Sequence, residues 1–215
     1  KSWKKGGHGL QTFREVLQNS SNPGFVEIGR RLGKDKLYEY VQKFGLTEKT
    51  GVDLPGESKG IMFDYENFNE LEQATVAFGQ GISVTPMQLV RAVCACVNGG
   101  TLYQPYIVDS VINNYSNDIV YQQQPQSLRQ VISEETSKKV CDALESVVSD
   151  GGGRNAYIDG YRIGGKTGTA QKAVNGSYVD GGYILSFIGI APIDDPQIVL
   201  YVAMDNPKNC VQYGG

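Results

Sequence analysis

An ammonium, two hydroxyls and a glycine stand in series at Lys166-Thr167-Gly168-Thr169. On an extended chain, alternation sends Lys166 and Gly168 to one face and Thr167 and Thr169 to the other, while the backbone N–H and C=O groups can pair with a ligand laid along the strand. Gly168 permits close approach, and the ammonium with its neighbouring hydroxyls suits a carboxylate. The bland alternative is a solvated edge-strand lysine that discourages aggregation. A second polar cluster, Ser20-Ser21-Asn22, reads on its own as a helix-capping turn.

The same region supports a competing chemistry. Gly160-Tyr-Arg-Ile-Gly-Gly165-Lys166-Thr167 satisfies the phosphate-loop pattern, with Ile198 to Asp205 as a strand ending in a magnesium-binding aspartate. A phosphate loop must follow a buried strand and open a helix, because the helix N-terminus and successive N–H groups form the anion cradle. Here the upstream stretch Arg154 to Asp159 is polar, and Gly168 to Gly176 holds glycines and β-branched residues suited to an extended edge. Both flanks speak against nucleotide binding.

Capping and periodicity define the elements that carry these residues. Thr12-Phe-Arg-Glu15 is a capping box, predicting a short helix to about Gln18 that delivers Ser20-Ser21-Asn22 at its end. Asn22 caps a second helix with Pro23 at its first position. Asp35 caps a third, whose Leu37, Tyr40, Val41 and Phe44 share one face before Gly45 stops it. Thr50 to Asn69 is turn-rich loop, and Gly79-Gln80-Gly81 reads as a turn rather than a catalytic segment. Pro86 opens a helix apolar nearly all round, which ends at Asn98-Gly99-Gly100 and belongs at the centre of the domain. Extended segments follow at Tyr106 to Ile112 and Ile119 to Gln122. Ser133 then caps a helix with Val140, Leu144, Val147 and Val148 on one face, stopped by glycines 151 to 153. The last third is β: Tyr161 to Lys172, Tyr183 to Ala191 and Gln197 to Asp205, with a turn at Asn175-Gly176. Short connections make these strands antiparallel neighbours. The fold class is α+β, an antiparallel sheet covered by helices, with no internal repeat or linker.

Composition narrows the partners. With 215 residues the chain can bury roughly 70% of its unfolded surface. Twenty basic against 23 acidic residues leave a net charge of −3, so no basic excess drives binding to nucleic acid or anionic lipid. No apolar run approaches the ~18 residues of a membrane span, so a membrane anchor is expected only outside this chain. His8 is the sole histidine; Gly6-Gly7-His8-Gly9 reads as a turn, and neither a metal nor an organic cofactor is implied. Cys94, Cys96, Cys141 and Cys210 fit neither a disulfide framework nor a metal pair and are expected to be thiols.

The K-T-G element at Lys166 accompanies S-x-x-K and S-x-N elements in the penicillin-recognising serine enzymes, and Ser20-Ser21-Asn22 supplies the S-x-N. With these in place, the chain resembles the transpeptidase domain of class B penicillin-binding proteins, particularly the Gram-positive elongation, division and sporulation types. The resemblance also covers Gly7-His8-Gly9, Lys49 to Glu57, Gly79 to Leu89, Asn98-Gly99-Gly100 and Gly164 to Gln171, six pieces in family order. The departure is the nucleophile: the one upstream S-x-x-K match, Ser2-Trp3-Lys4-Lys5, lies too close to Ser20 and opens no helix. The chain is therefore expected to be a partial transpeptidase domain, residues 1–215, running from S-x-N to K-T-G-T. The S-x-x-K segment is expected upstream in the same protein, and the C-terminal end of the domain beyond Gly215.

The resemblance implies the penicillin-recognising serine transpeptidase/β-lactamase-like fold, incomplete here. It implies a parent enzyme that cross-links stem peptides ending in D-Ala-D-Ala through an acyl-serine and that binds β-lactam antibiotics, on the outer side of the bacterial cytoplasmic membrane. This chain alone is expected to be inactive. Ser20 is implied as a proton relay, Asn22 as the holder of the acyl-side amide, Lys166 as positive charge for the substrate carboxylate, Thr167 and Thr169 as its hydrogen-bond donors, and Gly168 as part of the binding strand. The Thr169 N–H is implied as half of the oxyanion hole. A non-catalytic sensor or scaffold is the alternative. A β-lactamase is disfavoured, since no glutamate, Glu27 and Glu57 included, is assignable as a deacylation base.

Overall fold

A computed structural model describes residues 6–174 and 177–208. Ser2-Trp3-Lys4-Lys5, the Asn175-Gly176 turn and Cys210 lie outside the described residues.

The helical part opens as the capping box requires. Helix α1 (Phe13–Gln18) starts at Thr12, whose hydroxyl accepts the Glu15 N–H at 3.3 Å while the Glu15 carboxylate accepts the Thr12 N–H at 2.7 Å. The next two starts differ from expectation by one or two residues. Helix α2 (Asn22–Leu32) is capped by Ser21, so Asn22 is already helical and Pro23 stands second, where its missing N–H costs nothing. Helix α3 (Lys34–Lys43) is capped by Gly33 rather than Asp35. Gly33 takes φ +86°, a left-handed conformation open to glycine, and so lets α3 follow α2 with no loop between them. The face expected on α3 splits between two cores: Leu37 and Val41 pack with Phe68 and Val76, whereas Tyr40 and Phe44 pack with Ala95, Leu102 and Val131.

Helix α4 (Glu70–Ala77), closed by the Gly79-Gln80 turn, lies where no element was expected. Helix α5 (Pro86–Val97) is buried as expected but not wholly apolar. Gln88 is 0% exposed, and its amide nitrogen faces the carbonyls of Leu46, Glu48 and Lys59 at 3.2, 2.7 and 3.0 Å. The Arg91 guanidinium donates to Gly45 and Thr50 carbonyls at 2.7 and 3.3 Å. These bonds fasten the 45–60 loop to α5.

Two small ladders follow: β1 (Thr101–Gln104) with β4 (Gln126–Gln130), and β2 (Ser110–Ile112) with β3 (Ile119–Gln122). The strand expected from Tyr106 begins only at Ser110, because the N–H groups of Ile107 and Val108 both donate to the Asp53 carboxylate at 2.8 Å. Helix α6 (Glu134–Ser149) is capped by Ser133. The main sheet is an antiparallel meander, β5 (Gly164–Val174), β6 (Ser177–Ala191) and β7 (Ile198–Asp205), in that order. Helices α5 and α6 cover one face of it through Val97, Cys141, Leu144, Ile190 and Ile193. The α+β class is as read from the sequence.

The nucleotide reading is overturned. Lys166 and Thr167 pair with Ile188 and Phe187 in the middle of a ladder that runs on past them, so no helix opens there to cradle a phosphate. Asp205 is ion-paired with Lys172 at 2.6 Å. Cys94, Cys96 and Cys141 are free thiols, and burial pushes Cys96 up to about 12.

Candidate active site

The site is assembled from the end of α1, the start of α2 and the first half of β5. Helix α1 stops in a Schellman turn: the Ser20 N–H donates to Leu17 O at 3.3 Å and the Ser21 N–H to Val16 O at 3.0 Å. The residue at the left-handed position of such a turn is usually glycine, yet here it is Ser20, at φ +50°. A side chain in that conformation costs roughly 1–2 kcal/mol, and strain of this kind concentrates at functional positions. What the position gains is its hydroxyl. The Lys166 ammonium donates to Ser20 Oγ, and from the same nitrogen to the Thr167 carbonyl at 3.0 Å and hydroxyl at 3.4 Å.

Ser20 and Lys166 are 146 residues apart in sequence. Loss of water around Lys166 lowers its pKa to about 8, so the ammonium is poised to give up its proton near neutrality. Ser21, next in the chain to Ser20, is buried at 3% exposure. Asn22 stands at the first position of α2, and Thr169 is exposed on β5. Gly168 pairs with Ser186, and a Cβ at 168 would stand 2.5 Å from Ser186 Oγ, so the strand has no room for a side chain there.

Of the six residues singled out from the sequence, Ser20 follows the end of α1, Asn22 opens α2 and the other four lie on β5, and the structure joins Ser20, Lys166 and Thr167 directly. His8, read as a turn residue, lines an open cavity of about 670 Å³ that reaches Ser21 but none of these six residues. The sequence reading passed over the Gly151–Gly153 turn as a mere helix stop. The Gly152 N–H donates to Gln18 O at 3.0 Å, and a Cβ at 152 would come 4.0 Å from Thr167 Oγ1. Three consecutive glycines, more than a helix end requires, were the available signal.

A family model described as the penicillin binding protein transpeptidase domain matches residues 1–215. The chain belongs to the penicillin-binding protein transpeptidase family. It is 60% identical over 213 residues, 99% of this chain, to Stage V sporulation protein D of Bacillus subtilis. It is 35% identical over 94% of its length to penicillin-binding protein PbpB of Mycolicibacterium smegmatis. It spans about a third of each of those relatives, 33% and 32%. Penicillin binding protein 3 of Mycobacterium tuberculosis, in its apo form, superposes with TM-score 0.88 at 32% identity, covering 96% of this chain and 48% of that one. The transpeptidase domain of penicillin-binding protein 3 from Burkholderia pseudomallei gives 0.83 at 36% identity, over 97% of this chain and 60% of that one. The mixed helix and antiparallel-sheet fold is therefore that of penicillin-binding transpeptidases.

Proposed function

We propose that this chain supplies the S-x-N and K-T-G-T half of a peptidoglycan D,D-transpeptidase site in the bacterial cell envelope. In this reading it works with an S-x-x-K serine from an upstream segment of the same protein. The observation that carries this is the hydrogen bond from the Lys166 ammonium to the Ser20 hydroxyl, which brings the two family motifs together. The names of its relatives add support, and a structure of the M. tuberculosis protein complexed with ampicillin aligns over 96% of this chain.

In the proposed reaction the upstream serine oxygen bonds to the penultimate D-alanyl carbonyl carbon, and the amide bond to the terminal D-alanine breaks. The serine proton passes to the departing nitrogen. Ser20 and Lys166 carry that proton: the lysine gives up one that burial makes easy to release, the hydroxyl relays it to the nitrogen, and the serine proton replaces it on the lysine. The amine nitrogen of a neighbouring strand then bonds to the same carbonyl carbon, the ester bond to the serine oxygen breaks, and the surplus proton of the amine returns to that oxygen by the same route. Thr167 and Thr169 hydroxyls bind the substrate's terminal carboxylate, Asn22 holds the acyl-side amide, and the exposed edge of β5 pairs with the peptide backbone. The Thr169 N–H faces the developing oxyanion, a contact of the kind worth roughly 3–4 kcal/mol of barrier.

The test is release of D-alanine from a stem peptide ending in D-Ala-D-Ala by the full-length parent, with the cross-linked product followed by mass spectrometry. Release that survives unchanged in Lys166→Ala contradicts the reading.

A further inference from the structure

The glycines that end α6 also hold the end of α1. Helix α1 lies against α6 in a fixed register. Arg14 Nη1 donates to Asp142 O at 3.1 Å, and Gln18 Nε2, one turn on, donates to Ser146 O at 3.4 Å. The Gly151–Gly153 turn closes that register: Val147 O accepts the N–H of Gly151 at 3.1 Å and of Gly153 at 3.0 Å, while the Gly152 N–H crosses to Gln18 O at 3.0 Å. Gln18 is the last residue of α1, two before Ser20. The approach is possible because residue 151 has no Cβ. One placed there would stand 2.9 Å from Gln18 O, 2.9 Å from Val147 O and 3.0 Å from Gln18 Cα, all backbone atoms that cannot rotate aside.

We propose that Gly151 is a positioning residue for the acyl-transfer centre, setting the separation of Ser20 from Lys166 through its contact with the Gln18 backbone. The proposal rests on the reading of Ser20 and Lys166 as parts of that centre. Ser20 hangs from the last turn of α1 by its own N–H and that of Ser21, so displacement of Gln18 carries it along. Lys166 does not follow, because β5 is held by its ladder with β6. A misplacement of about 1 Å in such a centre costs up to roughly a hundredfold in rate. Gly153 is the natural control: the three nearest atoms to a Cβ there, from 3.1 Å, would all belong to Val147, whereas at 151 two of the three belong to Gln18.

The experiment uses the full-length parent with Gly151→Ala, Gly153→Ala, Ser20→Ala and the Gly151→Ala/Ser20→Ala double variant. One readout is the rate of acylation by benzylpenicillin. The other needs no β-lactam: the pH dependence of Lys166 acetylation by acetic anhydride, read by peptide mass spectrometry. Gly151→Ala is expected to slow acylation roughly tenfold to a hundredfold and to move Lys166 titration upward as water enters. It is expected to add nothing to Ser20→Ala, since groups acting as one unit are not additive. Gly153→Ala is expected to change neither readout. The proposal is overturned by multiplicative effects of Gly151→Ala and Ser20→Ala, by unchanged Lys166 titration in Gly151→Ala, or by an equal loss in Gly153→Ala. Should Gly151→Ala not fold, the Arg14→Ala/Gln18→Ala variant loosens the same register without crowding it and must show the same two changes. A parent that forms no adduct at all defeats the functional reading instead, and the Lys166 titration still decides the role of Gly151.

Discussion

The Ser20 hydroxyl receives the Lys166 ammonium from a backbone conformation, φ +50°, that a serine adopts only at a cost. In the proposed reading, stability and function therefore oppose each other at this residue. Ser20→Gly and Ser20→Ala both lose the hydroxyl, but only glycine is at ease in the left-handed turn. Chemical denaturation is expected to find Ser20→Gly more stable than Ser20→Ala by about 1 kcal/mol, with both variants slow in acylation. Equal stabilities would mean that the turn is unstrained.

Burial lowers the Lys166 pKa from 10.5 to about 8. Between those values the unfolded chain carries a proton that the folded chain has released, so stability rises with pH. The contribution is complete above 10.5 and is lost as the pH falls through 8. Urea titrations of the wild type and Lys166→Met at pH 7, 9 and 10 should diverge, the wild type gaining on the order of 2 kcal/mol more across the range. Parallel curves would show that Lys166 is solvated in the folded protein.

Much of this arrangement was legible in the residues. The Thr12–Glu15 capping box and the Ser133 cap state their helices outright, and the alternating segments after Gly164 favour neighbouring strands. The polar clusters at Ser20–Asn22 and Lys166–Thr169 were visible too, although each alone also reads as ordinary structure, a capping turn and an edge-strand lysine, and only the two together in that order singled them out. Long-range packing escaped. Asp53 decides where β2 begins by taking two N–H groups of the preceding segment, more than fifty residues away in sequence. Nothing near Tyr106 announces this. Likewise Gly33 ousts Asp35 as a cap because the fold needs α2 and α3 to abut.

Gln88 was hidden for a related reason, since a glutamine on an apolar helix looks like a surface position. Its amide serves three loop carbonyls and its oxygen accepts the Thr85 N–H at 2.8 Å. Gln88→Leu, close in volume, should destabilise the protein by roughly 2–3 kcal/mol, the cost of burying those carbonyls unpaired. A loss below about 0.5 kcal/mol would show that water reaches the loop.

The described thiols should be chemically quiet. Burial raises Cys94, Cys96 and Cys141, and the thiolate is the reactive form. Alkylation at pH 7.5 with peptide mapping is expected to leave all three unmodified in the native protein and to label them in urea. Rapid native labelling of Cys96 would contradict its placement in the core.

The pairing of Ser20 with Lys166 as the proton route of an acylating centre is tested most directly by one rate. Stopped-flow acylation of the full-length parent by a fluorescent penicillin should place a single adduct on the serine of an upstream S-x-x-K. It should slow by about a hundredfold or more in Lys166→Ala, and strongly in Ser20→Ala, as expected for loss of a general acid–base pair. Acylation at the wild-type rate in both variants would contradict it.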